Sequence, residues 1–278
     1  MKLSNPFVAK PKIIILENCK LTEKIYSWLE NARFNKSKLS CVWDILGHEF
    51  KLADFNANIF AQYDFANNLP LAKTIMRADP VNLQADFSGL VVAENMPQGL
   101  NYQQACELTN AVNLEISDMK LHCPQTNRWY LSLDKPLDFT SLPTNCVKNS
   151  LVDEAQDLPL WLQQQLTQAQ ICLHNHPINQ KRQLAALPII NSLWLWGACA
   201  TEQKVNLVKS KKLLLTDNEE ISIFANSLKI KNNTSSYWQQ NYNSDCVLVL
   251  DANSSCSIIE PQLNNNNIQV YYQGYLYK

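Results

Sequence analysis

Lys12 to Leu16 reads KIIIL, four successive apolar residues behind a lysine, and Thr22 then opens a segment with Ile25, Trp28 and Leu29 at helical spacing. A continuous β-branched run suits a buried strand, and one apolar stripe suits a helix that packs on a sheet. The polar Glu17 and Asn18 between them mark a turn. A strand followed by a loop and a helix, the helix capped by Thr22 and running to about Phe34, is how α/β folds begin. Lys211 to Leu215 and Cys246 to Leu250 repeat the strand signal, with Glu219 to Leu228 reading as a helix between them. The expected fold is α/β, with mixed β-sheet layers and flanking helices. Ligands in such folds gather where strands end, which makes Glu17 a candidate for binding metal or a phosphorylated group.

Size and charge narrow the function classes. The chain of 278 residues can bury a substantial core as one large domain or two modest ones. No linker cuts it, so a single domain over 1–278 is expected, with a possible subdomain at about 80–190. Apolar residues make up 46% and charged residues 18%, an ordinary globular balance. The 24 basic and 25 acidic residues form no long block of one sign, which argues against a nucleic-acid partner. Ile13 to Leu16 are too few for a signal-peptide core, and Leu187 to Ala200 is interrupted by Asn191 and Ser192. That run is too short to span a bilayer, so no membrane partner and a cytoplasmic location are expected. Nine cysteines lie scattered with no CxxC pair, and nine buried reduced thiols are the expectation.

Between these strands the pattern alternates in character. Residues 40–64 are mixed, with no single period, and His48 falls in a loop. Pro70 is expected to open a short helix to Met76, stopped by Asp79-Pro80. Then ADPVNLQADFSGLVVAEN predicts strands that meet a loop, and Asp79, Asn82, Gln84 and Asp86 are spaced to line a pocket there. Ala105, Leu108, Val112 and Ile116 form one face of a helix beginning at about Tyr102. MKLHCP and RWYLSL form a hairpin, with Arg128 opening its second strand. Residues 134–158 read as a long loop, and a helix from about Leu160 ends at Pro177. Ile268 to Tyr277 reads as a final strand, and the Asn264 to Asn267 run has no assigned role.

The densest polar chemistry lies in HNHPINQKRQLAALPIINSLWLWG, His174 to Gly197. Two histidines, two asparagines and an arginine fall within nine residues, ahead of an apolar run that carries Asn191 and two tryptophans. His174 and His176 lie at a helix carboxyl end, where the dipole favours a protonated imidazole. Arg182 presents a fork of donors suited to an anion, or to a salt bridge or loop cap. The two histidines offer at most a pair of metal ligands with no third nearby. Cys172 lies in an apolar helix face, and no G-x-S-x-G, P-loop or dinucleotide fingerprint is present among the five glycines.

ADPVNLQAD, RWYLSL and above all LHNHPINQKRQLAALPIINSLWLWGACA resemble a short bacterial group of RpfE-type regulatory proteins. That group in turn is similar to the archaeal-type, cofactor-independent phosphoglycerate mutases of the alkaline phosphatase superfamily. The resemblance covers roughly residues 70–230 and implies a reduced fold of that kind. His176, Asn179 and Arg182 match a mutase-like H-P-x-N-x-x-R motif, and Asn191, Trp196 and Gly197 match its N-x-x-W-x-W-G continuation. The resemblance places these residues in the part that holds a phosphorylated sugar acid.

Departures from the family pattern fall on its chemistry. Gln84 stands where an arginine is expected, and Cys199 is the third residue of the G-A-G turn. The opening D-G motif is replaced by Glu17-Asn18, and Asp251 is followed by Ala252 and Asn253 with no later histidine in the family's spacing. Two-metal phosphoryl transfer needs several carboxylate and imidazole ligands and an activated hydroxyl. The expectation is therefore a non-catalytic or degenerate mutase-like protein that binds a phosphorylated small molecule or regulates, without cofactor or metal. Its ligand-binding candidates are Asp79, Asp86, Arg128, His174, His176, Asn179, Arg182, Asn191 and Trp196; catalytic residues and oligomeric state stay open. The alternatives are an active metal-dependent phosphomutase or phosphatase with a rearranged site, and a structural protein-interaction module.

Overall fold

The computed structural model describes residues 12–16, 21–36, 41–52, 55–87, 89–94, 98–137, 139, 141–147, 151–152, 157–238, 246–251, 254, 256–257, 259, 268–272 and 275–277. Glu17 and Asn264 to Asn267 lie outside these residues. The chain divides into two compact units, one formed by Met1–Ala53 with Asn206–Lys278, the other by Asp54–Val205. The stretch expected as a subdomain, 80–190, lies wholly within the second. Both units are α/β, and each has its own sheet.

The first unit is organised by β1 (Lys12–Leu16), which lies between β10 (Cys246–Leu250) and β11 (Ile268–Tyr272), parallel to both. β8 (Leu213–Thr216) and β9 (Asn232–Asn233) extend the parallel side, while β12 (Tyr275–Tyr277) and β2 (Phe34–Lys36) add an antiparallel edge. All five residues of β10 are buried, as a strand covered on both faces requires. Helix α1 (Glu23–Asn31) starts where Thr22 accepts a bond from Ile25 N, and it buries Ile25 and Leu29. It stops three residues before the expected Phe34, because Phe34 begins β2. The expected single strand Ile268 to Tyr277 is two antiparallel strands, β11 and β12. Residues 40–50, in which no single period was expected, contain helix α2 (Val42–Phe50), whose buried Val42, Ile45, Leu46 and Phe50 lie at helical spacing on one face.

The second unit is built on β3 (Thr74–Asp86), a 13-residue strand. β3 pairs along one edge first with β6 (Arg128–Leu133) and then with β4 (Gly89–Glu94), and along the other with β7 (Ser192–Ala200); β5 (Met119–Gln125) is the edge strand beyond β6. No helix forms at Pro70 to Met76, since Thr74 and Ile75 already pair with both β6 and β7. Nor do Asp79, Asn82, Gln84 and Asp86 line a loop; all four stand on β3. Pro80 falls after β3 leaves β6 at Arg77 and before it meets β4 at Asn82, so its missing N–H interrupts neither ladder.

Alternation along these strands separates two faces. Met76, Ala78, Leu121, Trp129, Leu131, Leu133, Leu193 and Leu195 pack with helix α4 (Tyr102–Glu115) and helix α5 (Leu160–Asn175) in one apolar core. Arg77 and Trp196 alternate with those residues and meet Phe60 of helix α3 (Asn58–Asp64), another helix hidden from the sequence pattern. Helix α6 (Pro177–Leu184) follows α5 directly, with His176 serving both as the end of one and the cap of the other.

Among the described residues, no helix is long and apolar enough to cross a membrane. Cys106, Cys123, Cys172, Cys199, Cys246 and Cys256 are not in disulfides, whereas Cys41 and Cys146 are disulfide-bonded, a departure from the expectation of nine reduced thiols.

Candidate functional site

The candidate residues fall into two groups, with Asp86 outside both. The first group is a buried ionic network on β3, β6, α3 and β7. Arg77, 2% exposed, donates through Nε to Asp79 Oδ1 at 2.8 Å and through Nη2 at 2.7 Å. Asp79 Oδ2 accepts Trp196 Nε1 at 2.7 Å and also the Thr144 hydroxyl. The Arg77 guanidinium lies 5.0 Å from the Trp196 ring centroid, 5.4 Å from that of Phe60 and 5.6 Å from that of Tyr130. Tyr130 in turn donates its hydroxyl to Asp64 Oδ2 at 2.5 Å, and Arg128 grips Asp64 with Nε at 2.9 Å and Nη2 at 2.8 Å. Burial is the main cause that holds the Tyr130 phenol protonated well above its ordinary range, and the Asp64 carboxylate adds to it.

Asp79, Trp196 and Arg128 are thus brought together through Arg77, Tyr130 and Asp64. Two guanidinium groups face two carboxylates, so the network balances its own charge. Sequence reading did not single out Arg77, Tyr130 or Asp64. Arg77 could have been found, since it precedes Asp79 by two residues and therefore shares a strand face with it. Asp64 is separated by 64 residues from Arg128 and gave no such signal.

The second group surrounds α6. His176 Nδ1 accepts the N–H of Ile178 at 3.2 Å, capping the helix. That bond needs an imidazole lone pair, and the start of α6 presents the positive end of its dipole. Burial also lowers the His176 pKa, so the expected preference for a protonated ring at the end of α5 is reversed. Asn179, 1% exposed, donates to Leu173 O and to Ile190 O, both at 2.6 Å, and accepts from Ile190 N at 2.8 Å. Asn191 treats Leu83 the same way, accepting from its N at 2.7 Å and donating to its O at 2.8 Å. Arg182 donates Nε to Pro188 O at 2.9 Å and Nη2 to Gln98 O at 2.7 Å. Among the described residues its Nη1 has no partner, and burial lowers the Arg182 pKa. His174 is exposed in the last turn of α5.

Asp86 is exposed at the end of β3 and accepts the N–H of Phe87 at 2.6 Å. Gln84 donates to Asn82 Oδ1 at 2.9 Å. Gly197, in the turn-like G-A-C, takes φ +67°, and Ala57 N donates to its carbonyl at 2.8 Å. In the first unit, Asp251 follows β10 and accepts Asn218 Nδ2 at 3.0 Å, while Asp217 accepts Ser235 N at 3.0 Å. Among the described residues, no three histidine, cysteine or acidic side chains gather in a way that could hold a metal ion.

No family model matches this chain. No curated protein matches it either. Solved structures similar to it include the cofactor-independent phosphoglycerate mutase from Thermoplasma acidophilum DSM 1728, at 14% identity and TM-score 0.41, covering 96% of this chain and 88% of that one. The PH0037 protein from Pyrococcus horikoshii is similar at 14% identity and TM-score 0.40, over 87% of this chain and 70% of that one. The likeness to a phosphoglycerate mutase is distant, and the narrower RpfE-type resemblance gains no support from these comparisons.

Proposed function

We propose that this protein acts by binding a small anion, of the phosphate or phosphorylated-acid class, with Arg182 as the cationic anchor. The observation that carries this reading is the state of the Arg182 guanidinium: 3% exposed and, among the described residues, bonded only to two neutral carbonyls, with Nη1 unpartnered. A buried cation without a counter-charge is costly, and an anion oxygen at Nη1 would supply both the missing acceptor and the missing charge. The self-balanced Arg77, Asp79, Asp64 and Arg128 network has no such need. On this reading His176 and Asn179 position the α6 backbone that carries Arg182.

A structural reading competes, favoured by the bonds from Arg182 to Pro188 and Gln98, which make it a brace between two loops. Titration calorimetry with inorganic phosphate and with 3-phosphoglycerate separates the two. The anion reading expects saturable binding that Arg182→Ala abolishes and Arg182→Lys weakens. Lowered stability of Arg182→Ala, with no heat of binding and no ligand-induced rise in parent melting temperature, overturns it in favour of the brace. Stoichiometric manganese or zinc in purified protein, together with phosphatase turnover, would instead establish a metal-dependent phosphotransfer enzyme.

A further inference from the structure

Helix α4 lies along the free edge of the second sheet, and its contact face carries Cys106, Thr109, Asn110 and Asn113 at successive helical positions. Asn113 fixes that seam: its side chain donates to Leu121 O and accepts from Leu121 N, both at 2.8 Å. The edge of β5 is thereby closed by a side-chain amide in place of another strand. Farther along the same seam lie Cys106 of α4, seven residues before Asn113, and Cys123 of β5, two residues after Leu121. Both line one cavity of about 330 Å³, both are partly exposed, and neither is in a disulfide. Cys123 Sγ donates to Gln125 O at 3.4 Å.

From this we infer that Cys106 and Cys123 form a thiol pair that closes to a disulfide by exchange with a small-molecule disulfide, covalently fastening α4 to the edge strand. The approach of α4 to β5 at this end of the seam does not depend on the thiols themselves, because the Asn113–Leu121 clamp holds helix and strand together. The cavity gives a small disulfide a route to the pair. Cys106 makes the first attack, since burial keeps the Cys123 thiol protonated to about 12. Its thiolate displaces one small thiolate and leaves a mixed disulfide on Cys106. Cys123, losing its proton to solvent, then attacks the Cys106 sulfur and expels the second. The sum is two protein thiols and one small disulfide giving one protein disulfide and two small thiols, so the protein is oxidised as the reagent is reduced.

The test uses the full chain, oxidised glutathione, and peptide mapping without reduction. The expected product is a peptide linking Cys106 to Cys123, with two glutathione thiols released for each link. Cys123→Ser should stop at glutathione on Cys106, and Cys106→Ser should leave Cys123 unmodified. Asn113→Ala, which loosens the seam without touching sulfur, should lower the yield of the link relative to glutathione capping. Cys106 and Cys123 left unlinked in the parent protein, whether free or each capped by glutathione, overturn the inference. So does capping confined to Cys172.

Discussion

The side-chain amide of Asn179 accepts from the N–H of Ile190 at 2.8 Å and donates to its carbonyl at 2.6 Å, occupying both backbone groups of one residue as a neighbouring strand would. Its Nδ2 reaches Leu173 O as well, so one side chain joins the end of α5 to the entry of β7. Asn179→Ala leaves the N–H and the carbonyl of Ile190 without partners where water is excluded, at about 1–3 kcal/mol for each such group, and takes from Leu173 O one of its two bonds, the other coming from His176 N. Stability to urea should fall by about 3 kcal/mol or more. Asn179→Asp should be no better, because its carboxylate keeps the bond from Ile190 N but faces two carbonyl oxygens. A change below about 0.5 kcal/mol for the alanine variant would show that the clamp does not support the native state.

Arg128 and Asp64 make a different sort of bond, two-pronged and charged, with the Asp64 side chain fully buried and that of Arg128 at 11% exposure. Removing one member leaves the other charge in a low-dielectric site. Asp64→Ala should cost about 3–5 kcal/mol, since the Tyr130 hydroxyl loses its acceptor along with Arg128. Arg128→Ala should cost a similar amount, and the double variant less than the sum of the two. Strict additivity in a double-mutant cycle would contradict the coupling.

Gly197 sits with φ +67°, and a Cβ placed there would lie 2.9 Å from Ala57 N and 3.3 Å from the Asn56 carbonyl carbon. Both atoms are backbone, so neither can rotate away. Gly197→Ala therefore combines a left-handed backbone cost of about 1–2 kcal/mol with displacement of the 56–57 segment from β7. Its melting temperature should fall by several degrees. The bond from Ala57 N to Gly197 O should lengthen, raising amide exchange at Ala57.

Much of this architecture was legible because it follows local pattern. The KIIIL and CVLVL strands, the hairpin of β5 and β6, and the stripe of α4 each announce themselves by period and burial. Helix α3 was not, since its apolar residues cover more than one face, and the stripe of Val42, Ile45, Leu46 and Phe50 in α2 is short and set in a stretch of mixed pattern. The His174 to Gly197 block was rightly conspicuous, but its polarity has two different destinations. Asn179 and Asn191 spend their hydrogen bonds on the backbones of Ile190 and Leu83. Trp196 instead joins Asp79 in a network with Arg77, two residues away on the same strand face, and with Asp64, which sequence separation concealed. Polar residue type tells what a side chain can bond to; only the fold determines whether the partner is a ligand or a peptide group.

His122 gives the protein a predicted acid sensitivity of definite sign. Its Nε2 lies 2.8 Å from Ser132 Oγ, and burial, helped by the positive charge of Lys120, lowers its pKa from 6.5 to about 4. Between these two values the unfolded chain binds a proton at this position that the folded chain does not. Stability must therefore decrease as pH falls from about 6.5 toward 4, and the contribution is fully present above 6.5. Urea midpoints measured across this range should drop for the parent protein. In His122→Gln, which retains a polar group toward Ser132 but does not titrate, the slope should be shallower. An equal slope in both proteins would place the acid sensitivity elsewhere.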